Sequence, residues 1–137
     1  MLRTRKGTMR TPVPAETELV GKKVLDSAFT VHTALGPGLL ESVYEACLAH
    51  EIRKNGLKVE TQVALPVIYD NVRVDAGLRL DMLVNDCVIV ELKSVETMNP
   101  VFEAQLITYL KLTGVRLGYL INFNVPHLRD GFKRMIV

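Results

Sequence analysis

Two acidic residues and a lysine near the middle of the chain have the types and spacing of a metal site. Asp81 precedes Glu91, Leu92 and Lys93 along the sequence. Mg²⁺ and Mn²⁺ take oxygen ligands, usually keep several waters, and need only one or two carboxylates from a protein. The two acids could supply these, together with the main-chain carbonyl of Leu92. Lys93 could then orient a water molecule or offset negative charge on a phosphorus under attack.

The segment 79–93 predicts a β-hairpin that would bring these groups together. Apolar residues alternate along both halves, as is typical of strands with one buried face. They are Leu80, Met82, Val84, Val88, Val90 and Leu92. If all six share that face, position 84 pairs with 88, 82 with 90 and 80 with 92, across a loop at 85–87. The same register sets Asp81 opposite Glu91.

A solvent-facing ladder of charges explains the same pattern without a metal. The predicted register also sets Arg79 opposite Lys93, and like charges that face each other repel. Diagonal contacts of Arg79 with Glu91 and of Asp81 with Lys93 would relieve that repulsion. The hairpin alone therefore leaves two hypotheses open, a cation site and a set of surface ion pairs.

Three short motifs, in this order along the chain, resemble those of a known nuclease superfamily. Gly38 to Tyr44 resembles the signature of the small GxxExxY family. Asp81 with the later Glu91-Leu92-Lys93 is similar to the core motif of the PD-(D/E)xK superfamily, to which that family belongs. Gln105 to Tyr109 is similar to the QxxxY motif of its RecB-like branch. The resemblance extends from about Glu16 to Val137.

This resemblance implies a restriction-endonuclease-like α/β fold and metal-dependent hydrolysis of phosphodiester bonds. A central mixed sheet of about five strands would be flanked by helices, the cofactor would be Mg²⁺ or Mn²⁺, and the substrate would be nucleic acid, DNA more than RNA. One departure is Leu80, which stands where the motif has proline. A member of a superfamily can also keep the fold and lose the catalytic activity. An inactive module that binds nucleic acid or protein, or a structural subunit of a larger complex, stays an alternative.

The resemblance also assigns roles outside the hairpin. Glu41 would be a further metal ligand, Gln105 would complete the site near the metal, and Tyr109 and Tyr44 would contact the substrate. With these, the expected catalytic set is Asp81, Glu91, Lys93, Glu41 and Gln105. Simpler explanations exist, because a helix N-terminus favours an acid such as Glu41 whatever the function. Gln105 and Tyr109, four residues apart, could equally pack on the sheet with their polar ends in water.

Apolar periodicity and turn residues predict the elements that position these groups. Helices are expected over 16–35, from about 39 to 54, and from 99–100 to about 112. Strands are expected over 58–69, in the two halves of 79–93, over 116–124 and over 132–137. Pro66 suggests an edge or a bulge, and Asp70 and Asn71 a turn into the strand that leads to the hairpin.

Length and composition indicate a single domain over 16–137 behind a mobile basic tail at 1–15. The chain has 137 residues, of which 48% are hydrophobic and 23% charged, an ordinary globular balance. The tail carries four positive charges, so the formal net charge of +2 leaves about −2 for the body. That balance does not fit nucleic-acid binding by electrostatics alone.

No segment of the sequence has the length and apolarity of a membrane span or a secretory signal. We therefore expect a cytoplasmic protein without a membrane partner. A homodimer is possible, since so small a nuclease often needs a second copy to grip both strands. The two cysteines and three histidines are given no functional role.

Overall fold

The computed structural model describes residues 11–137, so most of the predicted basic tail lies outside the described residues. Within this range the helices are α1 (Ala15–Leu35), α2 (Glu41–Lys54) and α3 (Val101–Thr113), with a short 3₁₀ helix at Leu128–Asp130. The strands are β1 (Val59–Ala64), β2 (Val67–Tyr69), β3 (Val72–Val74), β4 (Arg79–Val84), β5 (Val88–Lys93), β6 (Leu117–Asn122) and β7 (Phe132–Ile136). None of the described helices is long and apolar enough to cross a membrane.

The central sheet has five strands in the order β1-β4-β5-β6-β7. Strands β5 and β6 run parallel, and the other neighbours are antiparallel. Every residue of β6 is buried, as expected for a central strand covered on both faces. One hydrophobic cluster joins this sheet to α1 and α2, and a smaller one joins it to α3. The predicted mixed sheet of about five strands flanked by helices is confirmed.

The hairpin of β4 and β5 has the predicted register at its tip. Position 82 pairs with 90, 83 with 89 and 84 with 88. All six predicted apolar residues are buried, but they do not share one face. Leu80 packs in the α3-side cluster, and the other five pack against α1 and α2. The expected single face is therefore wrong at Leu80, because the side-chain alternation of β4 breaks between Leu80 and Met82.

The predicted strand at 58–69 is two strands with a break at Leu65 and Pro66. Proline lacks the amide that a continued ladder would need. The Leu65 amide instead donates to the Leu78 carbonyl at 2.9 Å, which closes the base of a separate hairpin of β2 and β3. Asp70 and Asn71 form the turn of this arm, with φ of +50° and +63°. That turn leads into β3 and not directly into β4.

The loops at the edge of the sheet set where α2 and α3 begin. Gly36 and Gly38 have φ of +67° and +97°, which favour glycine, and they separate α1 from α2. The Asn99 side chain accepts a hydrogen bond from the Val101 amide at 3.0 Å, as the predicted helix start implies. Because β5 and β6 are parallel and β4 is antiparallel to them, the end of β5, the end of β6 and the start of β4 share one edge.

Candidate metal and catalytic site

The carboxylates of Asp81 and Glu91 meet where the regular β4–β5 ladder ends. The Asp81 amide donates to Glu91 Oε2 at 2.9 Å, and the Leu92 amide donates to Asp81 Oδ2 at 2.8 Å. Each carboxylate therefore accepts a hydrogen bond from the backbone of the facing strand, where ladder bonds would otherwise form. This crossed pair holds the two acidic groups close together, although the paired register of β4 and β5 ends at Met82 and Val90 and does not extend to the predicted pairs 81–91 and 80–92.

The crossed pair is electrostatically unfavourable without a cation. Glu91 is only 5% exposed. Burial, and then the charge of Asp81, raise the pKa of Glu91 to about 8 from 4.5, against the opposing effects of the Asp81 amide and Lys93. Burial also raises the pKa of Asp81. A buried carboxylate beside a half-buried one disfavours joint ionisation, and a divalent cation would remove that cost.

Glu41 is the first residue of α2 and belongs to the same electrostatic cluster. Its pKa is raised by burial and by Asp81, and Lys93 opposes the rise. Within residues 11–137 its carboxylate makes no hydrogen bond, so it does not cap the helix through its side chain. It lines an open pocket of about 340 Å³ together with Ser42, Glu45 and Gln62. The structure thus brings Glu41 to the acidic pair from the α2 side.

Lys93 lies at the end of β5 with its ammonium 4.2 Å from the centroid of the Phe102 ring. This cation–π contact restrains the Lys93 ammonium. The positive charge of the ammonium lowers the pKa values of Asp81 and Glu91. Among the described residues, no ion pair within 4.0 Å joins Arg79 to Glu91 or Asp81 to Lys93. The ion pairs of the surface-ladder hypothesis are therefore not formed, although the Lys93 charge lowers the pKa of Asp81.

The two residues of the predicted α3 motif have different surroundings. Tyr109 is 5% exposed, and the charges of Glu91 and Asp81 add to burial in raising its pKa. The charges of the acidic pair thus act on its hydroxyl, although its burial leaves little of the ring to touch a substrate. Gln105 is exposed, and its side chain makes no hydrogen bond to residues 11–137. No contact of the described chain joins Gln105 to the acids.

Tyr44 lies in the core and not at the site. Its ring is 0% exposed and stacks on Phe123 with centroids 4.6 Å apart. Its hydroxyl donates to the Gly36 carbonyl at 2.5 Å and accepts from the Leu39 amide at 3.2 Å. The expected contact of Tyr44 with the substrate is therefore wrong. Its buried hydroxyl instead holds the loop that precedes Glu41.

Gln62 is a site residue that the sequence did not reveal. The β1–β4 pairing joins Thr61 to Met82 and Val63 to Leu80 and skips Gln62 and Asp81 between them, and Gln62 has an unusual φ of +52°. Its side-chain amide donates to Glu45 Oε1 at 2.7 Å and, more weakly, to Asp81 Oδ1 at 3.5 Å. Gln62 thereby links α2 to the Asp81 carboxylate. A glutamine in an exposed strand carries no motif, so only the three-dimensional structure identifies it.

The donor chemistry fits a hard divalent cation. The clustered ligand atoms are carboxylate oxygens, which Mg²⁺ and Mn²⁺ prefer over nitrogen or sulfur. In the described part of the chain, no three His, Cys, Asp or Glu side chains form a ready-made metal cage. A site of this kind would therefore depend on two carboxylates with water or substrate oxygens, as Mg²⁺ sites commonly do.

Fold and site together define a restriction-endonuclease-like α/β protein with an acidic pair and a lysine at one edge of a mixed sheet. A family profile described as the PD-(D/E)XK nuclease superfamily matches residues 18–135, most of the chain. The chain belongs to this superfamily. No curated protein and no solved structure matches it significantly.

Proposed function

We propose that this protein is a metal-dependent nuclease of the GxxExxY family, in the RecB-like branch, that hydrolyses phosphodiester bonds in nucleic acid, preferably DNA. Superfamily membership supports a nuclease-type function. The observation that carries the proposal is the crossed pair. The Asp81 and Glu91 carboxylates each accept a hydrogen bond from a backbone amide of the facing strand, which keeps the two carboxylates together despite their repulsion.

Each residue of the cluster has a distinct task in this proposal. Bound Mg²⁺ or Mn²⁺ would supply Lewis acidity and neutralise charge on the substrate phosphate. Asp81, Glu91 and the Leu92 carbonyl would hold the cation, with Glu41 as a further ligand that reaches it directly once the cation is bound or through a water molecule. The Lys93 ammonium would orient the attacking water and stabilise negative charge on the phosphate.

Residues of α3 would assist at the same edge. Gln105 is exposed and would complete the site once a cation or substrate is bound. Tyr109, whose hydroxyl feels the charges of the acids, would help to position the substrate strand. Phe102 would keep the Lys93 ammonium in place through the cation–π contact, in which the ammonium lies 4.2 Å from the ring centroid.

Cleavage of labelled oligonucleotides tests the proposal. Single- and double-stranded DNA and RNA are incubated with purified protein in Mn²⁺, Mg²⁺ or EDTA. We expect cleavage only with metal, and its loss in Asp81→Asn and Lys93→Met. The matched controls are Asp86→Asn, at the exposed tip of the same hairpin, and Lys111→Met, on the exposed surface of α3. Both controls should cleave like the wild type.

Calorimetry with Mn²⁺ separates the nuclease from an inactive binding module. A nuclease should bind Mn²⁺ at a site that Asp81→Asn weakens. Oligonucleotide binding without any Mn²⁺ site would identify the module and overturn the proposal. Cleavage that survives in both site variants would also contradict it, since the proposed groups would then be dispensable.

The remaining expectations belong to the same proposal. Residues 16–137 would form the nuclease domain, the protein would act in the cytoplasm, and a homodimer would grip both strands of a duplex. Light scattering coupled to size exclusion, with and without a DNA duplex, tests the dimer. A monomer in both conditions would contradict it.

A further inference from the structure

A second pocket opens on the same edge of the sheet as the candidate site. It lies between the C-terminal end of α1 and the loop that follows β6, and its volume is about 550 Å³. His32, Thr33 and Phe29 line it from α1, and His127 and Arg129 line it from the loop. We refer to it below as the Arg129 pocket.

The lining of the Arg129 pocket suits an anion. No carboxylate lines it, whereas Arg129 and two histidines do. Arg129 and His127 are exposed, and neither side chain bonds to any residue of the described chain. His32 Nε2 lies 2.7 Å from the Val125 carbonyl, an acceptor, so this nitrogen carries a hydrogen. A guanidinium without a partner suits phosphate oxygens, because its fixed fork of N–H donors can bind two of them at once.

The two loops that contribute residues to the Arg129 pocket are each hydrogen-bonded to the end of β5 at a neighbouring residue. The Phe123 amide, at the start of the loop after β6, donates to the Lys93 carbonyl at 2.9 Å. The Ser94 hydroxyl donates to the Leu39 carbonyl at 2.6 Å, in the loop that links α1 to Glu41. The pocket therefore lies at the same end of the sheet as Lys93, where the substrate strand would pass.

A nucleic-acid strand at this edge needs local positive contacts. The acidic pair and Glu41 repel phosphates, and the chain apart from its basic N-terminal segment carries a formal charge of about −2. Phosphate contacts by arginine position a strand without reading its sequence. The Arg129 pocket supplies such a contact, and the 38%-exposed ring of Phe29 adds an apolar surface for the attached nucleoside.

We propose that the Arg129 pocket binds a backbone phosphate of the substrate strand outside the scissile bond, with Arg129 and His127 as donors. The inference rests on the proposed nuclease function and adds to it a binding subsite. A polynucleotide phosphate is favoured over a free one because the pocket is far larger than a single phosphate group and lies along the edge that carries the acids.

Binding and cleavage by Arg129→Ala test this subsite. Lys111→Ala is the matched control, since it removes one exposed positive charge from α3, on the opposite face of the sheet from α1. Fluorescence anisotropy in EDTA measures affinity for a labelled oligonucleotide as a function of salt. We expect Arg129→Ala to weaken binding about tenfold and to reduce the salt slope by about 0.7–0.9. KM should rise while kcat changes little.

The outcomes separate this inference from the proposed function. If the wild type cleaves and Arg129→Ala matches Lys111→Ala in affinity, salt slope and KM, the subsite is wrong and the nuclease stands. If no oligonucleotide is cleaved but Arg129→Ala still loses affinity and salt slope, the nuclease fails and the phosphate contact stands. Competition by a nucleoside monophosphate or inorganic phosphate, at concentrations as low as those of the oligonucleotide, would identify a site for free phosphate and overturn the subsite.

Discussion

Replacing Glu91 by glutamine should stabilise the metal-free protein at neutral and alkaline pH. The Glu91 carboxyl has a pKa of about 8 in the folded chain, chiefly because it is buried, against 4.5 when unperturbed. Between these values the folded state keeps a proton that the unfolded state has lost. Stability therefore falls as pH rises from about 4.5 to about 8 and levels off above that.

The size of this effect follows from linkage. Each pH unit across the window costs about 1.4 kcal/mol of unfolding free energy, so the whole window costs about 5 kcal/mol at most. Glutamine has nearly the same shape and can still accept the hydrogen bond of the Asp81 amide, but it carries no charge. At roughly 3–4 °C per kcal/mol, the melting temperature of Glu91→Gln should exceed that of the wild type by at most about 15–20 °C at pH 9. The two proteins should be nearly equal at pH 4.5.

Thermal unfolding followed by circular dichroism in EDTA, from pH 4.5 to 9, measures this difference. Glu60→Gln, on the exposed surface of β1, is the control and should keep the wild-type curve. Saturating Mn²⁺ at pH 9 should restore the wild type but not Glu91→Gln, because a ligand that binds only the folded state stabilises it. A Glu91→Gln curve parallel to the wild type at every pH would refute the assignment of a buried, titrating carboxyl to Glu91.

Two further predictions concern residues that position the site. Gln62→Ala should weaken Mn²⁺ binding by about tenfold, because the Asp81 carboxylate loses the hydrogen bond that orients it, and loss of such a bond to a metal ligand commonly has an effect of this size. Calorimetry measures the Mn²⁺ affinity, and an unchanged affinity would contradict the positioning role of Gln62. Tyr44→Phe should lower the unfolding free energy in urea by about 1–2 kcal/mol while leaving KM unchanged, because the Gly36 carbonyl and Leu39 amide lose their partner. A raised KM at unchanged stability would instead restore the substrate contact.

The tip of the hairpin was predictable because burial there follows the sequence alternation. Met82, Val84, Val88 and Val90 are all buried on one face, so only one register suits them. The break at Leu80 was not predictable from the same pattern. An apolar residue such as Leu80 can pack in either hydrophobic cluster. Nothing in the neighbouring sequence shows where the backbone hydrogen bonds between β4 and β5 end and the hydrogen bonds to the Asp81 and Glu91 side chains begin.

The motif around Tyr44 shows a different limit. The turn residues and the apolar pattern around it predicted a helix from about Leu39 with Glu41 in its first turn, and α2 begins at Glu41. They could not distinguish a tyrosine that touches substrate from one that supports the loop. Burial decides this, and burial depends on Phe123, a residue far along the chain that stacks on the Tyr44 ring.

The departures from local rules concentrate around one carboxylate. Beside Asp81, β4 changes face at Leu80, Gln62 holds a left-handed backbone, and Glu91 is buried with a raised pKa. Each departure has a stability cost: side-chain alternation is interrupted, a left-handed non-glycine residue is strained, and a buried acid resists ionisation. A sequence selected for stability alone would remove them, as Glu91→Gln does for the last. All three lie at the crossed pair, where repelling charges must be held together. Natural chains depart from local structural preferences chiefly at functional sites, so these departures indicate a functional site around Asp81.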